Sequence, residues 1–219
     1  MAPRIFLPGA AGNGKYWLPV ATRLRAQPGD VFLSWPGLGR ESPLPSVRGL
    51  DDLVAIVLGA MREPTDLFAQ SLGGVVALRA ALARPDMVRR LVLVATSGGV
   101  PVQTVGASDW RDDYYRMYPG AGRWIGEVDQ DLSGELRTVW APTLLIWGDQ
   151  DPISPLAVGS LLEQLLPSAE LRIVSGGDHD MVQSHPQVVA GLINAHFGPP
   201  QTGTPEPAPL NPLVHGTND

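Results

Sequence analysis

Apolar residues along the chain fall into short solid runs, separated by longer stretches in which they recur every three or four positions. Ile5-Phe6-Leu7, Leu91-Val92-Leu93-Val94-Ala95 and Leu144-Leu145-Ile146-Trp147 show no polar alternation, as expected of strands covered on both faces. Strands are predicted at 5–7, 31–34, 66–69, 91–95, 143–147 and 170–174. Periodic stretches at about 15–26, 47–60, 72–84, 155–166 and 185–196 predict helices. This alternation predicts an α/β domain on a mainly parallel sheet with helices on both faces. The stretch 72–84, LGGVVALRAALAR, is apolar nearly all round, which places its helix deep against the sheet.

Two regions break the rhythm. Residues 98–140 separate two strands by more than one helix requires, and they hold Trp110, Tyr114, Tyr115, Tyr118 and Trp124. An insertion of this kind forms either a small cap over a site or extra packing. As a cap it predicts an apolar roof over a short pocket, with Trp110, Tyr114, Tyr115 and Trp124 as candidate substrate contacts. Residues 199–219 carry six prolines and no apolar period, which predicts a flexible tail after a single domain over 1–198.

Composition narrows the chemistry. The 219 residues are 44% hydrophobic and 17% charged, enough apolar surface for a full core. A net charge of −6, from 16 basic and 22 acidic residues, argues against nucleic-acid or membrane partners. The absence of cysteine excludes disulfides, thiolate catalysis and Cys-ligated metals. The run 5–7 is too short for a signal-peptide core and no stretch reaches membrane-span length, so a cytoplasmic location is expected.

The sharpest motif is Asp66-Leu67-Phe68-Ala69-Gln70-Ser71-Leu72-Gly73-Gly74, a strand running straight into a helix through a serine. Small residues two before and two after it permit a crowded turn that lifts the Ser71 hydroxyl to the sheet's carboxyl edge. The Leu72 N–H would then face an oxyanion formed there. An ordinary helix N-cap serine is the competing reading. Of the four histidines, His179 follows the last predicted strand at the same edge, in Gly176-Gly177-Asp178-His179. It is a candidate base, a plain loop histidine, or a metal ligand beside Asp178 and Asp180. The loop Gly148-Asp149-Gln150-Asp151-Pro152 offers two carboxylates, Asp149 and Asp151, either of which could instead serve a turn.

These motifs together resemble the α/β-hydrolase family over about residues 4–198. Phe6-Leu7-Pro8-Gly9-Ala10-Ala11-Gly12 with Trp17 resembles its first glycine loop, which implies the Ala10 N–H as second oxyanion donor. Ser34-Trp35-Pro36-Gly37-Leu38-Gly39-Arg40 resembles the following turn, and Ala69 to Gly74 the nucleophile elbow. Ala141-Pro142-Thr143 through Pro152 resembles the acid stretch, which implies Asp151 over Asp149. Gly177-Asp178-His179 with Pro186 resembles the histidine loop. Pro8 and Ala69 depart from residues common in the family, a histidine and a glycine. The chain begins at what the family counts as its third strand, so a minimal six-stranded sheet is expected. The resemblance implies a serine hydrolase of small carboxylic esters or thioesters, with catalytic Ser71, His179 and Asp151, and without cofactor or metal. Carbon–carbon bond hydrolysis of a diketone-like substrate and non-catalytic ligand binding are the alternatives, and monomer and homodimer both stay open.

Overall fold

The computed structural model describes residues 2–25 and 29–197, so the predicted tail at 199–219 lies outside the described residues. Six strands form one sheet: β1 (Arg4–Leu7), β2 (Val31–Phe32), β3 (Thr65–Gln70), β4 (Val88–Val94), β5 (Thr143–Gly148) and β6 (Ala169–Val174). Their order is β2-β1-β3-β4-β5-β6, and every neighbouring pair is parallel. Leu7, Ala69, Leu93, Leu145 and Leu171 stand in register across five strands, so the loops that follow all leave from one edge. The expected six-stranded α/β architecture is borne out.

Alternation along each strand divides the core in two. Ile5, Leu7, Leu67, Ala69, Leu91, Leu93, Leu145 and Trp147 face one side, where α2 (Leu50–Ala60), α3 (Leu72–Ala83) and α5 (Leu156–Leu165) cover them. Phe6, Phe68, Val92, Val94, Leu144 and Ile146 face the other, under α1 (Leu18–Ala21), α6 (Met181–Ser184) and α7 (Pro186–Phe197). Helix α3 buries nine of its twelve residues, as its unbroken apolar sequence predicts. At ~1.5–3 kcal/mol for each fully buried large aliphatic side chain, these two faces dominate the stability.

Departures from the sequence expectations have local causes. The helix predicted at 15–26 is a 3-10 turn, Gly14–Trp17, followed by the single turn α1. Thr22 N–H still reaches the Leu18 carbonyl (3.0 Å), but Arg23 N–H donates to Val20 O, only three residues back (2.9 Å), so the turn tightens and the α pattern ends. Strand β2 stops at Phe32 because the chain then turns to serve a loop: Trp35 N–H donates to Gly12 O (2.8 Å) and Ser34 Oγ accepts from Gly14 N–H (3.1 Å). Strand β6 lies at the sheet edge and leaves Arg172 and Ile173 exposed.

Residues 98–140 run between β4 and β5. They hold α4 (Arg111–Met117) and three 3-10 turns, Val102–Val105, Arg123–Glu127 and Leu136–Thr138. Main-chain bonds attach this cap to the body. Ser108 N–H donates to Pro152 O (2.7 Å), and Gly122 N–H donates to Gly37 O (2.8 Å).

Candidate active site

Ser71 is the single residue between β3 and α3, at φ 50° and ψ −120°. A non-glycine residue there costs of order 1–3 kcal/mol, and it persists only when its surroundings over-determine it. The surroundings do. A Cβ on Gly73 would stand 2.7 Å from the Leu7 and Pro8 carbonyl oxygens, and one on Gly74 would stand 2.4 Å from Thr96 Oγ1. Ser71 N–H donates to Val94 O (3.0 Å), while its carbonyl accepts from Gly74 N–H (2.9 Å) and Thr96 Oγ1 (2.6 Å). The helix approaches the sheet closely only because both glycines lack side chains, and that approach lifts the serine hydroxyl clear.

His179 Nε2 lies 3.0 Å from Ser71 Oγ, and its Nδ1 lies 2.8 Å from Asp151 Oδ2. The Asp151 side chain is fully buried, so its charge requires partners. Besides the imidazole, its Oδ1 accepts the N–H groups of Ile153 (2.8 Å) and Ser154 (2.9 Å). Asp149, the other candidate, is exposed and takes the Gly176 N–H at 2.7 Å, which ties the two loops together. Asp178 takes Asp180 N–H and the Ser184 hydroxyl, so its carboxylate serves its own loop. The acid and histidine loops meet backbone to backbone, since a Cβ on Gly148 would stand 2.0 Å from Gly177 O.

The first glycine loop lies against the serine. A Cβ on Gly9 would stand 3.0 Å from Ser71 Cβ, so the Gly9–Ala10 peptide passes directly beside it. The buried indole N–H groups of Trp17 and Trp35 hold this loop through the carbonyls of Leu7 (2.9 Å) and Pro8 (2.7 Å). Neither the Ala10 nor the Leu72 N–H has an acceptor among the described residues. Both residues line the cavity that reaches Ser71 and His179.

That cavity holds about 770 Å³, toward the upper end of the ~300–1,000 Å³ common for small-molecule sites. The short pocket expected from a small cap is therefore corrected: one helix and three turns leave space beneath them. Trp110, Tyr114, Tyr118 and Ile125 line it. Tyr115 and Trp124, expected there, do not. Adjacent helical residues point in different directions, so Tyr114 faces the cavity while Tyr115 packs inside the cap. The Tyr115 hydroxyl donates to Arg123 O (2.8 Å) and accepts Gly126 N–H (3.0 Å). Trp124 lies over Gly122, whose added Cβ would stand 2.6 Å from its Nε1.

Aspartates 109, 113, 129 and 180 line the cavity with Arg111, whose guanidinium donates to Asp109 (3.1 Å) and Gly126 O (2.9 Å). Burial, and then the Asp180 carboxylate 3.2 Å away, push the Tyr16 hydroxyl far above a tyrosine's usual pKa and keep it protonated.

The sequence reasoning missed three positions. Gln70 is buried and donates to the His179 carbonyl (3.1 Å), yet in the sequence it is only the residue before the serine. Thr96 supports the elbow from the end of β4, and Ser154 joins Thr96 O (3.0 Å) to the Trp147 indole N–H (3.2 Å). A polar residue closing an apolar strand at the carboxyl edge was the available signal for Thr96.

Known proteins share this arrangement's fold. The sequence model described as "Alpha/beta hydrolase family" matches residues 5–142, and one described as "alpha/beta hydrolase fold" matches 99–186. A pimeloyl-[acyl-carrier protein] methyl ester esterase from Aeromonas salmonicida is 25% identical over 89% of this chain and 94% of its own. Its counterpart from Proteus mirabilis is 26% identical over 83% and 87%. Among solved structures, the meta-cleavage product hydrolase from Pseudomonas fluorescens superposes with a TM-score of 0.71 at 19% identity, covering 90% of each chain. Among the described residues, no helix is long and apolar enough to cross a membrane.

Proposed function

The chain belongs to the alpha/beta hydrolase family, and from that premise we propose that it hydrolyses carboxylic esters or thioesters through an acyl-enzyme on Ser71. The observation that carries this reading is the unbroken relay from Ser71 Oγ to His179 to the buried Asp151 carboxylate. Ser71 Oγ attacks the carbonyl carbon as His179 Nε2 takes its proton. Asp151 holds the imidazole with Nδ1–H toward itself and stabilises the imidazolium that forms. The N–H groups of Ala10 and Leu72 receive the negative charge that develops on the carbonyl oxygen, already oriented before it appears. His179 then protonates the departing alcohol or thiol. It next deprotonates the water that attacks the acyl carbon, releasing the acid and free Ser71.

The activity for which the relatives are named, methyl ester hydrolysis, supports an ester over a carbon–carbon bond. The acidic lining supports an acyl group without negative charge, since a carboxylate entering it would meet like charges. The test is p-nitrophenyl butyrate hydrolysis by wild type and Ser71→Ala, with fluorophosphonate labelling. The alanine variant should lose about 10⁴-fold or more in kcat, and the label should map to Ser71. An alanine variant that keeps its activity overturns the reading.

A further inference from the structure

Tyr114 makes contacts that lining a cavity does not require. Its hydroxyl accepts Gly39 N–H at 3.0 Å and donates to the Ala10 carbonyl at 2.8 Å. A cap side chain thereby joins the two glycine loops of the body. Tyr114 is only 8% exposed, and its burial raises the hydroxyl pKa, so the hydroxyl remains a donor. Among the described residues, the Ala10 carbonyl has no other partner.

The surrounding turn shows why that bond matters. Gly12 N–H donates to Gly9 O (3.0 Å), closing the turn across Ala10 and Ala11, and Trp35 N–H holds Gly12 O (2.8 Å). Those bonds fix the two ends of the turn. The Ala10 N–H shares a peptide plane with Gly9 O, and the next plane, which carries the Ala10 carbonyl, is fixed by Tyr114 alone; the two planes pivot on the Ala10 Cα, so freeing the second lets the first swing. The second loop is held just as closely, since a Cβ on Gly39 would stand 1.9 Å from Ala11 O.

We propose that Tyr114 is a positioning residue for the reaction, its hydroxyl holding the Ala10–Ala11 peptide and, through the Ala10 Cα, steadying the Ala10 N–H that meets the developing oxyanion. This rests on the reading of Ala10 as an oxyanion donor. The cap then shapes the chemistry as well as the choice of substrate, because the side chain that lines the pocket also aligns the hole. Any acyl group that displaces Tyr114 loosens the hole it needs.

The experiment compares Tyr114→Phe with Tyr115→Phe, with concentrations set by fluorophosphonate titration so that only competent sites are counted. Phenylalanine at 114 keeps the ring contacts with Trp110, Tyr115 and Tyr118, whose centroids lie 5.4, 5.3 and 5.2 Å away. Removing an oxyanion donor costs ~10²–10³ in kcat, so removing its support should cost less. Tyr114→Phe should lower kcat about tenfold with KM nearly unchanged. It should weaken inhibition by butylboronic acid, which mimics the tetrahedral state, by the same factor, and leave butyrate binding unaltered. Tyr115→Phe, which removes a hydroxyl bonded only within the cap and away from the cavity, should leave all three unchanged. A merely structural role would lower the melting temperature without moving kcat per titrated site, and that result overturns the proposal. Equal kcat losses in both variants overturn it too. Failure of Ser71 to take the label is the separate signature that the underlying reading is wrong.

Discussion

At the carboxyl edge of the sheet, main chain meets main chain with no side chain between: Gly73 against Leu7 and Pro8, Gly148 against Gly177, Gly39 against Ala11. In the cap, Gly106, Gly120 and Gly134 have nothing within 4 Å of where a Cβ would stand, and Gly122 and Gly126 meet the side chains of Trp124 and Tyr115. The first region has no freedom to move without breaking hydrogen-bonded backbone. The second can absorb a changed side chain by rotating another. Position at the reacting atoms is thus set by the rigid region, and selection among substrates falls to the adaptable one. Tyr114 crosses between them.

The largest expected effect tests the rigid side. Asp151→Asn should lower kcat/KM by ~10³–10⁴, because an amide in that position favours the wrong imidazole tautomer. Asp149→Asn, on the same loop, should stay within about threefold of wild type. A reversed order in steady-state assays would move the acid to Asp149.

Stability should show the same divide. Gly148→Ala should destabilise by about 2–4 kcal/mol in urea unfolding, since its Cβ would need the space of Gly177 O. Gly134→Ala should change stability by less than about 0.5 kcal/mol. Similar costs at the two sites would remove the contrast between body and cap.

The smallest effect belongs to the roof. Trp110→Ala should change the rate on butyryl esters only a few-fold while shifting preference toward longer acyl chains, because it enlarges the cavity without touching the relay. A rate series from acetyl to decanoyl p-nitrophenyl esters reads this directly. A uniform loss across the series would place Trp110 in support of the reacting atoms instead.

Ser71, Asp151 and His179 were legible in the sequence because each sits at a strand end, within a few residues of small or turn-forming neighbours. The strands were legible because their apolar runs are solid. The early ends of β2 and α1 were not, since they rest on Trp35 reaching for Gly12 and Arg23 bonding back to Val20, contacts absent from any periodic pattern. Tyr114 and Tyr115 are alike as letters. Only the helix phase sends one to the cavity and the other into the cap. The roles of Tyr114 and Gln70 depend on backbone acceptors 104 and 109 residues away, and backbone groups carry no sequence signature.

Two of the bonds that fasten the cap, Ser108 to Pro152 and Gly122 to Gly37, use main-chain atoms at both ends. Their existence depends on the path of the chain and not on the letters along it. Exchanging side chains at most positions of α4 therefore leaves the fasteners intact, provided Tyr114 keeps its hydroxyl. For anyone remaking this enzyme's selectivity, α4 is a cassette: a randomised library over its cavity-facing positions other than 114, built on an unaltered body, should contain a high proportion of folded members.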